Sequence, residues 1–173
     1  MVSSALTPKR RIGDGPRPWS AYVPAISVVA ASLFSVLPIM NPSGWYPDLA
    51  FLALIAWRLL RPDPWPAWWA APLGLANDII TGYPIGYSVA LWPATMILLD
   101  LIERRTMWRD YWIEWALAAL LILGAEAFHW WIAALSRADV ALTAVIPPLL
   151  ISVLCFPVIA WAIARLDRWR LGQ

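Results

Sequence analysis

Histidine and cysteine occur once each in these 173 residues, and charged side chains make up only 14% of the chain. The single Cys155 leaves no internal disulfide to form. With one histidine, His129, and no GxSxG elbow, the chain has no nucleophile–base–acid set for acyl transfer. There is no GxxxxGK loop to cradle a nucleotide phosphate, which excludes ATP hydrolysis by this chain alone. Metal centres recruit three or four ligands, mostly His, Cys and carboxylates, so one His and one distant Cys make a metal site unexpected. The basic residues are dispersed and form no stripe for nucleic acid. No catalytic residue, cofactor or metal ligand is therefore expected.

What is present is apolar. Hydrophobic residues account for 61% of the chain, and its mean hydropathy is positive. Such a balance lies outside that of soluble domains and predicts an integral membrane protein. The apolar residues fall in six blocks, at about 20–39, 46–60, 66–81, 84–102, 112–135 and 140–164. A spanning helix needs about 20 residues, so the second and third are short and need flanking residues that reach the interface. Trp45, Trp57 and Trp65 suit that purpose. The first block follows a basic stretch, as a secretory signal would. It is longer than a signal core and lacks a small-residue cleavage site, so it reads as a retained span.

Direction comes from the positive charges. Of 13 Lys and Arg, all but Arg137 fall on one side of a six-span threading. Lys9, Arg10, Arg11 and Arg17 precede the first span, and Arg58 and Arg61 close the second. Arg104, Arg105 and Arg109 follow the fourth, and Arg165, Arg168 and Arg170 close the last. This asymmetry predicts cytoplasmic termini, with lipid orientation the first role of those arginines. The expected organisation is a flexible tail over 1–18, a six-helix membrane domain over 19–168 and a short tail over 169–173. Trp19, Trp57, Trp65, Trp68, Trp69, Trp108, Trp112, Trp115, Trp161 and Trp169 map to the inner interface. Trp45, Trp130 and Trp131 map to the outer one, and Trp92 near mid-membrane. Pro24, Pro72, Pro93, Pro147, Pro148 and Pro157 fall within spans, and the tandem Pro147–Pro148 is expected to bend or unwind the last helix.

Three ionisable groups lie in the outer half of this threading. Asp78 is about 6 Å below the end of the third span, and Glu126 and His129 are about 15 and 10 Å below the end of the fifth. A charge inside a span costs roughly 2.5 to 3.5 kcal/mol on insertion scales, so each needs a partner or a purpose. An interhelical contact is expected, such as Asp78 with His129, or Glu126 lining a wet groove. Gly74 is small enough to admit a neighbouring helix, and Gly82, Tyr83 and Pro84 supply a tight turn that makes the third and fourth spans antiparallel neighbours.

The run Gly74, Leu75, Asp78, Gly82, Pro84, Ile85, Gly86, in the form GLxxDxxxGxPIG, resembles the signature of the rod-shape-determining protein MreD family of bacteria. Chain length, six spans, cytoplasmic termini and the Pro47–Asp48–Leu49 start of the second span resemble that family too. The resemblance implies a non-enzymatic inner-membrane component of the cell-elongation complex, which takes part in peptidoglycan synthesis and cell shape. Its implied partners are MreC and, through it, RodA, RodA's partner transpeptidase and the MreB filament. It also implies a fold similar to the substrate-binding subunits of energy-coupling-factor transporters, and hence a rival function as a small-molecule binder with Asp78, Glu126 and His129 around a pocket. Gly74, Asp78, Gly82, Pro84, Gly86, Glu126 and His129 are the residues expected to shape the structural or partner site.

Overall fold

The computed structural model describes residues 20–36, 47–61, 66–103, 110–135, 143 and 145–171. The expected tail 1–18, Trp19, Trp45, Trp65, Trp108, Arg104, Arg105, Arg109 and Arg137 lie outside them. Among the described residues there is no strand. Six α-helices follow in order: α1 (Val23–Ser35), α2 (Leu49–Leu60), α3 (Ala70–Thr81), α4 (Tyr87–Glu103), α5 (Tyr111–Leu135) and α6 (Ile146–Leu171). A 3₁₀ turn, Ala67–Trp69, leads into α3. Two helices, α5 and α6, are long and apolar enough to cross a membrane.

Helix starts follow local chemistry. Asp48 caps α2, its carboxylate accepting from the Phe51 N–H at 3.0 Å. Pro24 falls in the first turn of α1, where its missing N–H has no intrahelical partner to lose. The same reason corrects the expectation for Pro147 and Pro148. They neither bend nor unwind α6, because the helix begins at Ile146 and both rings sit in its first turn. At its other end α6 runs on through Leu171, past the expected boundary at 168.

The centre of the bundle is α2. Its residues Ala50 to Trp57 are buried without interruption, as expected of a helix that is apolar all round. It packs most heavily on α1 and α6 and more lightly on α4 and α5, while α3 lies against α1 and α4. A segment about 18 Å long thus needs no lipid-facing surface, because other helices wrap it. Trp57 is accordingly no lipid-facing anchor. Its ring is 1% exposed, and its indole N–H donates to Ser27 Oγ at 2.8 Å.

The distribution of polarity is inverted relative to a water-soluble bundle. Asn77, Asp78, Ser88, Thr95 and Ser152 are buried, while Leu120, Leu123, Leu150, Leu154, Val158 and Trp161 on α5 and α6 point outward. An apolar exterior of this extent marks a surface made for lipid or partners.

Candidate functional site

Four structural features distinguish the two ends and one flank of the bundle. The first is the corner between α3 and α4. Helix α3 ends at Gly82, whose φ of 75° is the left-handed conformation glycine adopts without strain, and its N–H returns to the Asp78 carbonyl at 3.0 Å. Four residues later the chain enters α4 through Gly86, with φ of 106°. Pro84 contributes the carbonyl that accepts from the Tyr87 N–H.

Asp78 is explained here. Its side chain is 1% exposed, and its two oxygens accept from the backbone N–H groups of Gly86 and Ser88, each at 2.9 Å. The first N–H groups of a helix lack intrahelical partners and carry the positive end of its dipole. A carboxylate reaching across from α3 satisfies two of them. Beside it, Asn77 Nδ2 donates to Ser88 Oγ at 3.0 Å, binding the same two helices. Gly74 sets their separation. A Cβ there would lie 2.5 Å from the Ser88 carbonyl oxygen and 2.9 Å from the Val89 nitrogen, so only glycine permits this approach.

The second feature is a cavity of about 20 Å³ enclosed by the start of α2, the corner, α5 and α6. Asp48, Tyr83, Tyr87, Glu126, His129 and Ser152 contribute its polar atoms. His129 meets Tyr83 edge-on at 5.2 Å between ring centroids and lies 5.4 Å from Tyr87. Tyr87 stacks on Phe128 and donates its hydroxyl to the Ala125 carbonyl at 3.2 Å, fixing α4 to α5. The Asp78–His129 contact expected from matched depth does not form. The Asp78 carboxylate is spent on the backbone of α4, and α3 packs on α1 and α4 rather than on α5. Gly74, Asp78, Gly82, Pro84 and Gly86 thus gather at the corner, while Glu126 and His129 gather with Asp48.

Third, an apolar groove of about 560 Å³ opens between α4 and α5, which touch only sparingly. Small residues form much of its floor: Ala90, Ala94, Gly124 and Ala125, flanked by Leu98, Leu120 and Phe128. A Cβ at Gly124 would meet nothing within 4 Å.

The opposite end, about 15 Å along α2 from Asp48, holds the arginines. Arg58 pairs with Asp100 of α4. Asp167 of α6 bonds both Arg61 and Arg170, each at 2.8 Å, while Arg170 also reaches the Ser20 carbonyl and lies over the Trp57 ring. The C-terminal ends of α2, α4 and α6 and the segment leading into α1 are clasped in this way. These arginines have intramolecular partners that a reading based on lipid orientation alone missed. The available signal was the i,i+3 spacing of Asp167 and Arg170. Asp48 was likewise missed as a cavity residue, although an acid directly before an apolar helix is a capping signal. Ser152 gave no sequence signal.

Compared with family models, curated proteins and solved structures, the chain matches none.

Proposed function

We propose that this chain is a six-span, non-enzymatic scaffold of the bacterial inner membrane, with both termini cytoplasmic, serving the cell-elongation complex as MreD proteins do. In this reading the groove between α4 and α5 receives the spanning helix of a single-span partner of the MreC type. RodA, its partner transpeptidase and the MreB filament are then reached indirectly. The remaining four helices count as spans because they pack into one bundle with α5 and α6, α2 and α4 directly and α1 and α3 through them, the short α2 being screened from lipid by its neighbours.

The groove is the observation that carries the reading. Helices associate in lipid through close packing of small residues rather than through the hydrophobic effect, since lipid is already apolar. Ala90, Ala94 and Gly124 offer such a surface on one flank of the bundle. The resemblance of the residue 74–86 run supplies the identity of the partner. The corner that carries this run is built around Asp78, which holds the start of α4, one wall of the groove.

The rival reading, a small-molecule-binding subunit of an energy-coupling-factor-type transporter, calls for an enclosed chamber with convergent polar groups. Ligand pockets typically measure about 300–1,000 Å³. The polar cavity, at about 20 Å³, is far smaller, and the groove is large enough but lined almost wholly by apolar atoms.

Affinity purification in mild detergent tests the choice. Co-elution of MreC, reduced at least several-fold by Gly124→Leu with unchanged thermal stability, is the expected result. Recovery of an ATPase-linked coupling subunit instead would overturn the scaffold reading.

A further inference from the structure

The cavity beside the α3–α4 corner gathers two acids with no cation among the described residues of its lining. Asp48 enters from α2 and Glu126 from α5, and none of the described Lys or Arg residues lines the space. Arg58, Arg61 and Arg170 are engaged at the far end of the bundle. Asp48 also caps α2, its Oδ1 accepting from the Phe51 N–H, and the other titratable groups at or near the cavity are directed elsewhere. Asp78 of α3 bonds the α4 backbone, Tyr87 of α4 donates to the Ala125 carbonyl, and His129 of α5 packs on the rings of Tyr83 and Tyr87. Helix α6 contributes no titratable group to the lining, only Ser152.

Ser152 is the independent sign of an occupant. It is 2% exposed, lines the cavity, and its Oγ has no hydrogen-bond partner among the described residues. Buried hydroxyls are ordinarily satisfied, and a polar cavity with about 10–15 Å³ of space for a water centre holds one. The available 20 Å³ matches one such molecule. Among the described residues no three His, Cys, Asp or Glu side chains converge as metal ligands, so a coordinated metal ion does not supply the missing positive charge. Two carboxylates lining one small polar space repel each other when both are ionised, and a proton on one of them relieves that repulsion.

We propose that this cavity is a binding site for one water and one proton, the water bridging Ser152 Oγ to the carboxylates of Asp48 and Glu126 and the proton residing on one of those two side chains. The proton comes from the aqueous phase at this end and adds to a carboxylate oxygen, with no bond broken in the protein. The site joins α2, α5 and α6 through a single water, so its occupancy sets how firmly α5, a wall of the partner groove, is held to the centre. The proposal is independent of which partner fills that groove.

Infrared difference spectroscopy of the purified full-length chain, titrated from mildly acidic to mildly alkaline, tests it. The wild type should show a protonated-carboxyl stretch that disappears as pH rises. Glu126→Gln or Asp48→Asn should abolish that band, and each keeps the shape of the side chain it replaces. Ser152→Ala should retain the band but shift its midpoint, and Glu114→Gln, in the first turn of α5 about 18 Å along the helix from Glu126, should leave both unchanged. Absence of any titrating band in the folded wild type, or its survival in both Glu126→Gln and Asp48→Asn, would overturn the assignment.

Discussion

Asp78 of α3 caps α4 from outside that helix, its carboxylate bonding the Ser88 N–H at 2.9 Å while its other oxygen takes the N–H of Gly86. Both ends of the turn are thereby fixed by one residue, since the Asp78 carbonyl accepts from the Gly82 N–H. Capping of this kind ordinarily comes from the residue preceding the helix. Here Gly86 occupies that place and has no side chain to offer.

Replacing Asp78 with Ala should therefore cost stability rather than chemistry. The buried Ser88 N–H would lose its acceptor at about 1–3 kcal/mol, and the part-buried Gly86 N–H would lose its own at a smaller cost. Asp78→Asn retains one acceptor oxygen and should lose roughly half as much. Thermal unfolding in detergent should rank them wild type, Asn, Ala, and equal midpoints for all three would remove the capping role.

Gly74→Ala and Gly124→Ala differ by one methyl group each and should behave oppositely. At Gly74 the methyl collides with the backbone of α4, and overpacking of that kind costs about 1–3 kcal/mol. At Gly124 it enters open space. Unfolding midpoints should fall clearly for the first and stay near wild type for the second, while partner recovery should fall for the second.

At the opposite end, Asp167→Ala should be among the most damaging charge deletions. It strands Arg170, whose side chain is 8% exposed, and removing one member of a buried pair costs about 3–5 kcal/mol. Asp100→Ala removes a carboxylate with 36% exposure, where water and salt screen part of the loss, but its partner Arg58 is only 9% exposed, so its cost should fall between about 1 kcal/mol and that of Asp167→Ala. A double-mutant cycle between Asp167 and Arg170, read by denaturation, measures the coupling directly.

Trp57→Phe keeps most of the buried ring but removes the hydrogen bond to Ser27 and weakens the contact with Arg170. A loss of about 1–2 kcal/mol is expected. Ser27→Ala removes the same hydrogen bond and the one Ser27 Oγ donates to the Pro24 carbonyl, leaving the buried Trp57 N–H unpaired, so it too should lose about 1–2 kcal/mol, and an unchanged unfolding midpoint would contradict the bond.

Apolar blocks and turn chemistry made much of the fold legible. All six blocks correspond to helices, and the glycine–proline corner with its close α3–α4 approach followed from residues whose conformational limits are local. Pairing was less accessible. Asp78 was recognisable as a buried acid needing a partner, but backbone N–H groups carry no residue identity, so helical depth suggested His129 instead. The central place of α2 was hidden for a related reason: an apolar segment reads the same whether lipid or other helices surround it. Ser152 is an ordinary residue in an apolar run, distinguished only by the cavity that α2 and α5 close around it.

The enclosure of α2 also orders the protein's assembly. Its heaviest packing partners are α1, which precedes it, and α6, whose first residue follows Leu60 by 86 positions. During synthesis α1 to α4 can pack on one another as they emerge, but the face of α2 that α6 covers has no cover until that helix is made, so closure of the bundle waits on α6.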